Sequence, residues 1–425
     1  MTYSYLNRRD LIVALSGTGL LAALPLKAAA QVKARLVIVG GGFGGATAAR
    51  FLKTLLPSAS VTLIEANREY YACPFSNLVV AGLRELSAQR FSYEALKSQG
   101  IRVVQDHAMK VDPVGRSVQV SSGQTFDYDK LILSPGIDFR WNEIEGYDEA
   151  AAEIMPHAWK AGQQTTLLQQ QLSKMKDGGV VVMSVPPAPF RCPPGPYERA
   201  SLIAQYLKTH KPASKLIILD AQDKFSKQPL FEEAWSSLYP DHIERYGASE
   251  FGRVVSVSPS SMTLSTEFED FQADVANVIP PQQAGAIAHH AGVADMTGWC
   301  PIDPLTFAST LQPDIHVIGD ATIASPMPKS AFSANLQAKL CAMQIARVLA
   351  GDSPQPTTLT NTCYSYLSDT TAVSITGVYT NSGGALHSVE GAGGLSPLDA
   401  YPIIRQNEAL QAKTWFRTIT EQTFG

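Results

Sequence analysis

Cysteine, excess positive charge and long apolar runs are all scarce in this sequence of 425 residues. Its five cysteines are too few for a fold built on disulfides, and no run after residue 30 is apolar enough over enough residues to span a bilayer. The net charge of −4 argues against a nucleic-acid-binding protein, which usually presents a basic surface. The 45% of hydrophobic residues predict a large globular core, and the length suits two or three domains of about 150 residues each.

Several short cysteine motifs are absent as well. The sequence has no C-x-x-C, which argues against a thioredoxin-like centre, and no C-x-x-C-H, so this chain attaches no haem c of its own. No cluster of cysteine and histidine has the spacing of zinc ligands, and we predict no metal site. Five cysteines still suffice for one redox pair with single residues left over.

The first 30 residues have the pattern of an export signal. Arg8 and Arg9 precede an apolar run over residues 11–26, and residues 28–30 are the small residues expected before a cleavage site. The NRRDLI stretch resembles a twin-arginine signal, which exports proteins that are already folded and loaded with cofactor. We therefore predict cleavage before Gln31 and delivery to the bacterial periplasm. The alternative is a membrane anchor that is retained.

A strand, a glycine-rich turn, a helix and a second strand follow in order from residue 35. The run RLVIV predicts a buried strand, and GGGFGGATAARFLKTL supplies glycines at G-x-G-x-x-G spacing and then a helical pattern. The next strand, SVTLI, ends at Glu65, whose carboxylate can accept hydrogen bonds from a ribose hydroxyl. These features predict a dinucleotide-binding unit, because the glycines let the chain approach a pyrophosphate at the helix N-terminus. The residues predicted to contact the dinucleotide here are Gly40, Gly42, Phe43, Gly44, Gly45, Glu65 and Ala66.

A second contact with the same cofactor is predicted near residue 320. The strand IHVIGD ends in Gly319 and Asp320, and a helix follows from near Ser330. The aspartate can bond a ribityl hydroxyl of FAD, and the helix N-terminus can face the flavin ring. An earlier strand, YDKLILSPG, ends at Gly136, which we assign to the same site.

The predicted fold is α/β, with two Rossmann-like, dinucleotide-binding-type domains and a C-terminal α+β domain. We predict a FAD-binding domain split between residues 31–143 and 286–356, with a second Rossmann-like domain over residues 144–285. Residues 357–425 are predicted to form an interface or capping domain that closes with a helix over residues 407–420.

The second domain lacks the glycines that a nicotinamide dinucleotide would require. Its first strand, in GGVVVMSV, runs into PPAPFRCPPGP, and prolines provide no N–H donors for a phosphate. Direct use of NAD(P)H is therefore disfavoured. The same turn carries Cys192, and Glu198 follows in the first turn of the next helix, where it can act as a general acid or base near the sulfur. The alternative for Glu198 is an ordinary first-turn glutamate stabilised by the helix dipole.

The other four cysteines differ in their surroundings. Cys73, in REYYACPFSN, follows the second strand, where its sulfur can bond to the flavin or can simply be buried. Cys363 opens the C-terminal domain and is the natural partner for Cys192, although the sequence alone proves no pairing. Cys341 lies among apolar neighbours on a helix and Cys300 precedes a proline in a loop, so we interpret both as structural.

From residue 34 to its end, the chain resembles the flavoprotein subunit of flavocytochrome c sulfide dehydrogenase, a family related to the sulfide:quinone oxidoreductases. The segments that carry the resemblance are VIVGGGFGGATAA, REYYACPFSN, VPPAPFRCPPGPYERA, GWCPIDPLTF, HVIGDAT and NTCYSY. The resemblance implies a glutathione-reductase-like fold, with FAD bound covalently through an 8α-thioether to Cys73. It also implies a redox-active disulfide between Cys192 and Cys363, with Glu198 as the active-site acid or base. Trp415 is expected near the flavin but outside the site.

The activity that the resemblance implies is the oxidation of sulfide to sulfur or polysulfide. Sulfide would attack one sulfur of the disulfide, giving a persulfide and a thiolate. The electrons would pass to FAD and then singly to haem c on a separate subunit. The implied partners are therefore a c-type cytochrome, in a heterodimer, and a small sulfur compound.

Three other functions are compatible with parts of the sequence. A sulfide:quinone oxidoreductase would deliver electrons to a membrane quinone, but the predicted closing helix has no wide basic and apolar face for docking. A type II NADH dehydrogenase is disfavoured by the missing glycine turn. A non-catalytic flavin carrier or assembly subunit would keep Cys192 and Cys363 as free thiols, whereas the enzyme would leave roughly two reactive thiols by cysteine arithmetic.

Overall fold

The first sheet of the protein joins two distant parts of the chain. The computed structural model describes residues 31–425, so the predicted export signal at residues 1–30 lies outside the described residues. All five strands of the sheet are parallel, and the last one along the chain pairs with the fourth. In spatial order the strands are Ile315–Val317, Lys130–Leu133, Arg35–Val39, Ser60–Glu65 and Arg102–Gln105.

The strand Arg35–Val39 lies at the centre of this sheet. Its last four residues are buried, as expected for a parallel strand that is covered on both faces. The helix Phe43–Leu55 starts directly after the glycine turn and packs against the helix Ala331–Leu349. Both helices follow the carboxyl ends of strands of the same sheet, so their N-termini point toward one region.

A second parallel sheet has four strands and its own helices. In spatial order its strands are Ile243–Tyr246, Lys215–Asp220, Val180–Val185 and Val275–Val278. The order reverses beside Val180–Val185, and open parallel sheets bind ligands beyond the carboxyl ends of their strands at such a point. The main helices of this part are Gln163–Lys174, Gly195–His210 and Gln228–Leu238.

The C-terminal part contains an antiparallel sheet. Thr358–Tyr366 pairs along its whole length with Ala372–Ser382, and this second strand also pairs with Ala385–Ser388 and Gly394–Leu395. The first strand carries Cys363 and contacts the helix Gly195–His210 of the second sheet. The antiparallel sheet therefore brings a distant cysteine toward the proline-rich turn.

The closing helix, Pro402–Phe424, begins and ends outside the predicted residues 407–420. Proline is favoured in the first turn of a helix, where its missing N–H is not needed, and this places the start at Pro402. At the other end Phe424 stacks on Phe91, with ring centroids 5.0 Å apart. This long-range contact extends the helix and docks it on the first domain.

The remaining elements of residues 31–425 are short. The strands are Glu69–Tyr71, Arg90–Ser92, Ala108–Asp112, Ser117–Val120, Thr125–Asp127, Ile137–Phe139, Ser256–Ser258, Thr263–Ser265, Asp270–Gln272, Gln282–Ala284, Cys300–Pro301 and Thr322–Ile323. The helices are Ser76–Val80, Glu94–Ser98, Glu149–Ala152 and Ala286–His290, with 3-10 turns at Leu86–Gln89, Ala248–Glu250 and Gly319–Ala321. Within the described residues, no helix combines the length and apolar character that a bilayer crossing demands.

Two Rossmann-like domains in the glutathione-reductase arrangement, followed by a C-terminal α+β domain, make up the fold. The predicted fold class is confirmed. The carboxyl ends of both parallel sheets and the strand that carries Cys363 border a common space.

Candidate active site

A cavity of about 470 Å³ lies where the three parts of the fold meet. The predicted residues that line it are Gly40, Gly42, Phe43, Gly44, Glu65, Cys73, Gly136, Cys192, Glu198, Gly319, Asp320 and Cys363, together with Trp415. Gly45 and Ala66 were also predicted to contact the dinucleotide, and neither lines the cavity. A Cβ at Gly45 would lie 1.8 Å from the carbonyl oxygen of Gly40, so this glycine serves the close packing of the helix on the turn.

The glycine loop, defined as residues 40–45, forms the dinucleotide end of the cavity. Gly40 has a φ of +98°, and a Cβ there would lie 2.2 Å from the carbonyl oxygen of Ser134. Both observations exclude a side chain at this position. The first intrahelical bond runs from the N–H of Ala46 to Gly42, so the earlier N–H groups of the helix are available to a phosphate.

Glu65 is held in a fixed orientation at the end of its strand. Its Oε2 accepts a hydrogen bond from the N–H of Gly41 at 2.6 Å. Its Oε1 accepts from the backbone N–H and the side-chain amide of Asn67, at 2.8 and 2.9 Å. A carboxylate has about four lone-pair sites, so one remains for a ribose hydroxyl.

Asp320 presents an unpaired acceptor to the cavity. Its Oδ1 is buried without a hydrogen-bond partner, and Oδ2 lies 4.0 Å from the guanidinium of Arg191. Burial raises the pKa of the carboxyl, and the charges of Arg191 and Lys329 oppose that rise. A buried oxygen of this kind calls for a hydroxyl donor. Together with the glycine loop and Glu65, it makes the cavity fit FAD.

The sulfur pair, Cys192 and Cys363, lines the same cavity as the glycine loop. Cys192 has a φ of +57°, which is unusual for a residue with a side chain, and its N–H donates to the carbonyl of Lys329 at 2.8 Å. Cys363 lies in the strand Thr358–Tyr366, paired with Ile375. The structure joins no pair of cysteines, so the disulfide between Cys192 and Cys363 that the resemblance implies stays a prediction.

Glu198 lies beside the sulfur pair and is firmly oriented. Its Oε2 accepts from the amide of Asn77 at 2.7 Å, and its Oε1 accepts from the N–H of Tyr366 at 2.9 Å. Burial raises the pKa of Glu198 despite these two bonds, and its charge contributes to raising the pKa of Cys192. A carboxyl with an increased proton affinity next to a thiol is suited to proton transfer.

Three cations near the sulfurs were not predicted: Arg199 and Lys227 are buried, and Arg191 is partly exposed. Arg199 donates to the side-chain oxygens of Asn77 and Asn277 at 3.0 and 2.9 Å, and burial lowers its pKa to about 10. Lys227 is 3% exposed and reaches the backbone of the Cys363 strand, and Arg191 donates to the carbonyl of Trp159. Arg199 stands in the PYERA segment and could have been singled out there, whereas no sequence signal marks Lys227.

Cys73 and Trp415 line the cavity, but Cys300 and Cys341 do not. The sulfur of Cys73 lies 3.8 Å from the carbonyl oxygen of Trp159, and Trp415 stacks with Phe332 at a centroid distance of 6.3 Å. Cys300 and Cys341 are fully buried, and burial raises the pKa of Cys300 to about 12. These two thiols are therefore poorly suited to nucleophilic chemistry.

Three known family descriptions match successive parts of the chain. Residues 34–182 match the pyridine nucleotide-disulphide oxidoreductases. Residues 165–280 match the central part of the sulfide dehydrogenase (flavocytochrome c) flavoprotein chain, and residues 355–424 match the flavin-binding part of flavocytochrome c sulphide dehydrogenase.

Individual relatives agree with these matches. The sulfide dehydrogenase (flavocytochrome c) flavoprotein chain of Chlorobaculum thiosulfatiphilum is 58% identical over 45 residues, which are 11% of this chain and 94% of that sequence. The mitochondrial sulfide:quinone oxidoreductase of Mus musculus is 23% identical over 338 residues, covering 75% of this chain and 72% of the mouse sequence.

Solved structures share the fold. The sulfide:quinone oxidoreductase of Aquifex aeolicus superposes with a TM-score of 0.69 over 92% of each chain, at 16% identity. A ferredoxin reductase from Rhodopseudomonas palustris superposes with a TM-score of 0.64 at 17% identity, over 81% of this chain and 82% of that one.

Proposed function

Since this chain belongs to the flavoprotein chains of flavocytochrome c sulfide dehydrogenase, a family of FAD-dependent disulfide oxidoreductases, we propose that it oxidises sulfide and passes electrons to a c-type cytochrome subunit. The observation that carries the proposal is the shared cavity. Cys192 and Glu198 come from one segment and Cys363 from another, yet all three line the same cavity as the distant glycine loop.

The proposed reaction uses the sulfur pair as a disulfide. Hydrosulfide attacks one sulfur, the bond between Cys192 and Cys363 breaks, and a persulfide and a thiolate result. Each hydrosulfide thereby loses one proton and two electrons and leaves as sulfur or polysulfide. When bound, FAD supplies a two-electron acceptor that can release electrons singly to a haem.

Glu198 is the proposed proton carrier in this reaction. Its bonds to Asn77 and to the N–H of Tyr366 fix its orientation, so that it need not reorient when charge develops on sulfur. Its raised pKa lets it hold a proton that a solvent-exposed carboxyl would release. The Cys192 loop meanwhile offers little backbone N–H to a substrate, because its prolines have none.

Cys73 is the proposed attachment point of the flavin. Cys73 lines the same cavity as the glycine loop and the sulfur pair, and a covalent bond there would hold the cofactor in place. Joining the Cys73 thiol to a methyl carbon of a bound flavin would be a two-electron oxidation that releases two protons, and the flavin would supply the electron acceptor.

The cytochrome partner and the periplasmic location are proposed together. The chain has no C-x-x-C-H motif, so the haem must belong to another chain. The twin-arginine pattern at Arg8 and Arg9 supports export. Expression of the full chain with Arg8→Lys and Arg9→Lys should leave the flavoprotein in the cytoplasm, as measured by fractionation. Unchanged periplasmic recovery would contradict this location.

A quinone is the second candidate acceptor. The match to the mouse sulfide:quinone oxidoreductase covers three quarters of this chain. Exposed apolar side chains also cluster around the start of the closing helix, among them Tyr401, Ile403 and Leu410. Steady-state assays with sulfide should show rapid reduction of a c-type cytochrome mixture from the host periplasm and slow reduction of a soluble quinone. The reverse preference would make the quinone the acceptor.

The direct test of the function is anaerobic reduction of the purified flavoprotein, followed by flavin absorbance. Sulfide should bleach the flavin and NADH should not, and Cys192→Ser or Cys363→Ser should abolish the response to sulfide. Cys341→Ala, at a fully buried thiol away from the cavity, is the matched control and should respond normally. Bleaching by NADH would contradict the proposal, because it would require a nicotinamide site where the prolines stand.

A further inference from the structure

The surroundings of Cys363 differ from those of Cys192. Asn361 precedes Cys363 by two residues in the same strand, so both side chains lie on one face. The side-chain amide Nδ2 of Asn361 donates to the sulfur of Cys363 at 3.2 Å. A hydrogen bond of this kind favours the charged form of its acceptor. Asn361 is only 2% exposed, so this bond is sheltered from water.

Two serines at the start of the helix Ala331–Leu349 fix the amide of Asn361. Ser330 caps this helix by accepting the N–H of Ser333 at 3.0 Å, so its hydroxyl hydrogen is free to point elsewhere. That hydroxyl lies 2.6 Å from Oδ1 of Asn361, and the hydroxyl of Ser333 lies 3.1 Å from the same oxygen. Because Oδ1 faces hydroxyl donors, the NH₂ group must face the sulfur.

Lys227 approaches Cys363 from the second domain. It precedes the helix Gln228–Leu238 with a φ of +64°, and its Nζ donates to the carbonyl oxygen of Cys363 at 3.0 Å and to the hydroxyl of Ser365 at 2.6 Å. Both partners are neutral oxygens, although the ammonium is buried. A buried cation bonded only to neutral groups is costly, and negative charge on a nearby sulfur would offset that cost.

The charges around the sulfur pair also favour negative charge on Cys363 over negative charge on Cys192. Burial lowers the pKa of Lys227, and the charge of Cys363 opposes this more than the charges of Glu198 and Cys192 do. Burial raises the pKa of Cys192, and the charges of Cys363 and Glu198 raise it further, against Lys227 and Arg191. In thiol–disulfide exchange the thiol with the lower pKa leaves faster.

We propose that hydrosulfide attacks Cys192, that Cys363 leaves as the thiolate, and that Asn361 and Lys227 are positioning residues that stabilise this thiolate. In this step HS⁻ adds to the sulfur of Cys192, the Cys192–Cys363 bond breaks, and the bonding pair stays on Cys363. The products are a persulfide on Cys192 and a thiolate on Cys363, with no net oxidation. The inference rests on the proposed function and assigns the attacked sulfur within it.

The first experiment measures the charge of each thiol separately. The full flavin-loaded protein is reduced with dithiothreitol, freed of reductant and treated with iodoacetamide across a pH series, and each cysteine is quantified by mass spectrometry. The groups that act on the two sulfurs are Lys227, Arg191, Arg199, Glu198 and Tyr379, with Glu408 acting on Lys227. Cys363 should become reactive at a lower pH than Cys192, and the opposite order would overturn the inference.

Variants of Asn361 and Lys227 test whether these side chains stabilise the thiolate of Cys363 or only fill space beside it. Asn361→Asp keeps the acceptor for the serines but removes the donor to sulfur, and Lys227→Met keeps the aliphatic chain without the charge. Each should decrease the thiolate fraction of Cys363 at a given pH by about tenfold, the size expected for a hydrogen bond to a charged group. Lys227→Arg should restore most of that loss. Lys211→Met, which also removes a lysine bonded to backbone carbonyls, should leave the pH profile unchanged. An unchanged profile in both site variants would contradict the assignment.

The second experiment locates the persulfide. The oxidised protein is mixed anaerobically with one equivalent of sulfide, quenched with iodoacetamide within one turnover and digested for mass spectrometry. The extra sulfur should be found on Cys192, and an extra sulfur on Cys363 would overturn the inference alone. Absence of persulfide on both, with the flavin unreduced, would instead overturn the proposed function and the assigned attack with it.

Discussion

The two parallel sheets carry different turns at equivalent positions. After the first strand of the first sheet the glycine loop leads into the helix Phe43–Leu55, and after the first strand of the second sheet the proline-rich turn leads into Gly195–His210. Gly42 precedes the first helix without a side-chain cap, and Pro194 precedes the second. Both helices start at the carboxyl edge of a sheet, where a dinucleotide phosphate can bind.

The difference lies in the backbone N–H groups that each turn offers. At the second turn Pro193, Pro194 and Pro196 have none, the N–H of Cys192 is bonded to Lys329, and the N–H of Gly195 is bonded back to Cys192. A phosphate would find few donors there. In the glycine loop the N–H groups of Gly40 and Gly41 are bonded, but those of residues 43–45 at the helix start have no intrahelical acceptor. One topology thus serves a nucleotide in one domain and presents a sulfur in the other.

The largest expected effect tests the first turn. Gly40→Ala places a Cβ 2.2 Å from the carbonyl oxygen of Ser134 in a left-handed conformation, and the combined strain is roughly 3 kcal/mol or more. We expect flavin content to fall to near zero and the melting temperature to drop, as measured by absorbance and calorimetry. Gly123→Ala is the matched control, because Gly123 has a φ of +85° but nothing within 4 Å of its Cβ. Equal losses in both variants would show that the close approach at Gly40 is unimportant.

A second prediction concerns how firmly the first domain retains the cofactor. Cys73→Ser should release all flavin into the supernatant after acid denaturation, whereas the unaltered protein should keep it on the polypeptide. Before denaturation the variant should still bind flavin, because the glycine loop, Glu65 and Asp320 remain. Fluorescence of the denatured protein on a gel gives the readout. Flavin that stays bound to Cys73→Ser would mean that another residue carries the thioether or that none forms.

The third prediction concerns His157, which holds the backbone of Trp159. The carbonyl of Trp159 in turn accepts a hydrogen bond from Arg191 of the proline-rich turn. Burial and the charges of Lys160, Arg199 and Arg191 lower the pKa of His157 from 6.5 to about 3. Its Nδ1 accepts the N–H of Trp159 at 2.9 Å and so stays unprotonated in the fold.

Between these two pKa values the unfolded chain binds a proton that the folded chain does not, so stability falls as the pH falls. For one group the loss is about 1.4 kcal/mol per pH unit, and denaturant unfolding at pH 7 and pH 5 should show about 2 kcal/mol from His157. His157→Asn, whose side-chain oxygen can accept the same N–H, should reduce this loss, whereas the exposed His387→Asn should not. An identical acid loss in all three proteins would assign the effect to other groups.

Local motifs could be read from the sequence, whereas contacts between domains could not. The glycine loop, Glu65 and Asp320 lie within two segments whose spacing already predicts their neighbours. Ala66 was assigned to the cofactor from the same motif, but it follows the strand end and does not line the cavity.

The contacts of Lys227 and Asn361 with Cys363 could not be predicted from the sequence. Lys227 lies in a polar turn of the second domain, and only the tertiary packing brings its ammonium to the strand of Cys363. Asn361 donates to the sulfur of Cys363 because Ser330 and Ser333 orient its amide group. Neither relation has a fixed spacing along the chain, so no pattern could have revealed it.

The smallest expected effect concerns the unpaired oxygen of Asp320. In the Cys73→Ser background, where flavin binding is reversible, Asp320→Asn keeps the shape of the side chain but loses the charge that strengthens a bond to a hydroxyl. The dissociation constant of flavin, measured by equilibrium dialysis, should increase about tenfold, which corresponds to a loss of about 1.4 kcal/mol of binding free energy. Asp303→Asn, at a carboxyl outside the cavity, is the control and should bind flavin normally. If Asp320→Asn binds equally well, Oδ1 does not meet the cofactor, and the glycine loop with Glu65 accounts for binding without it.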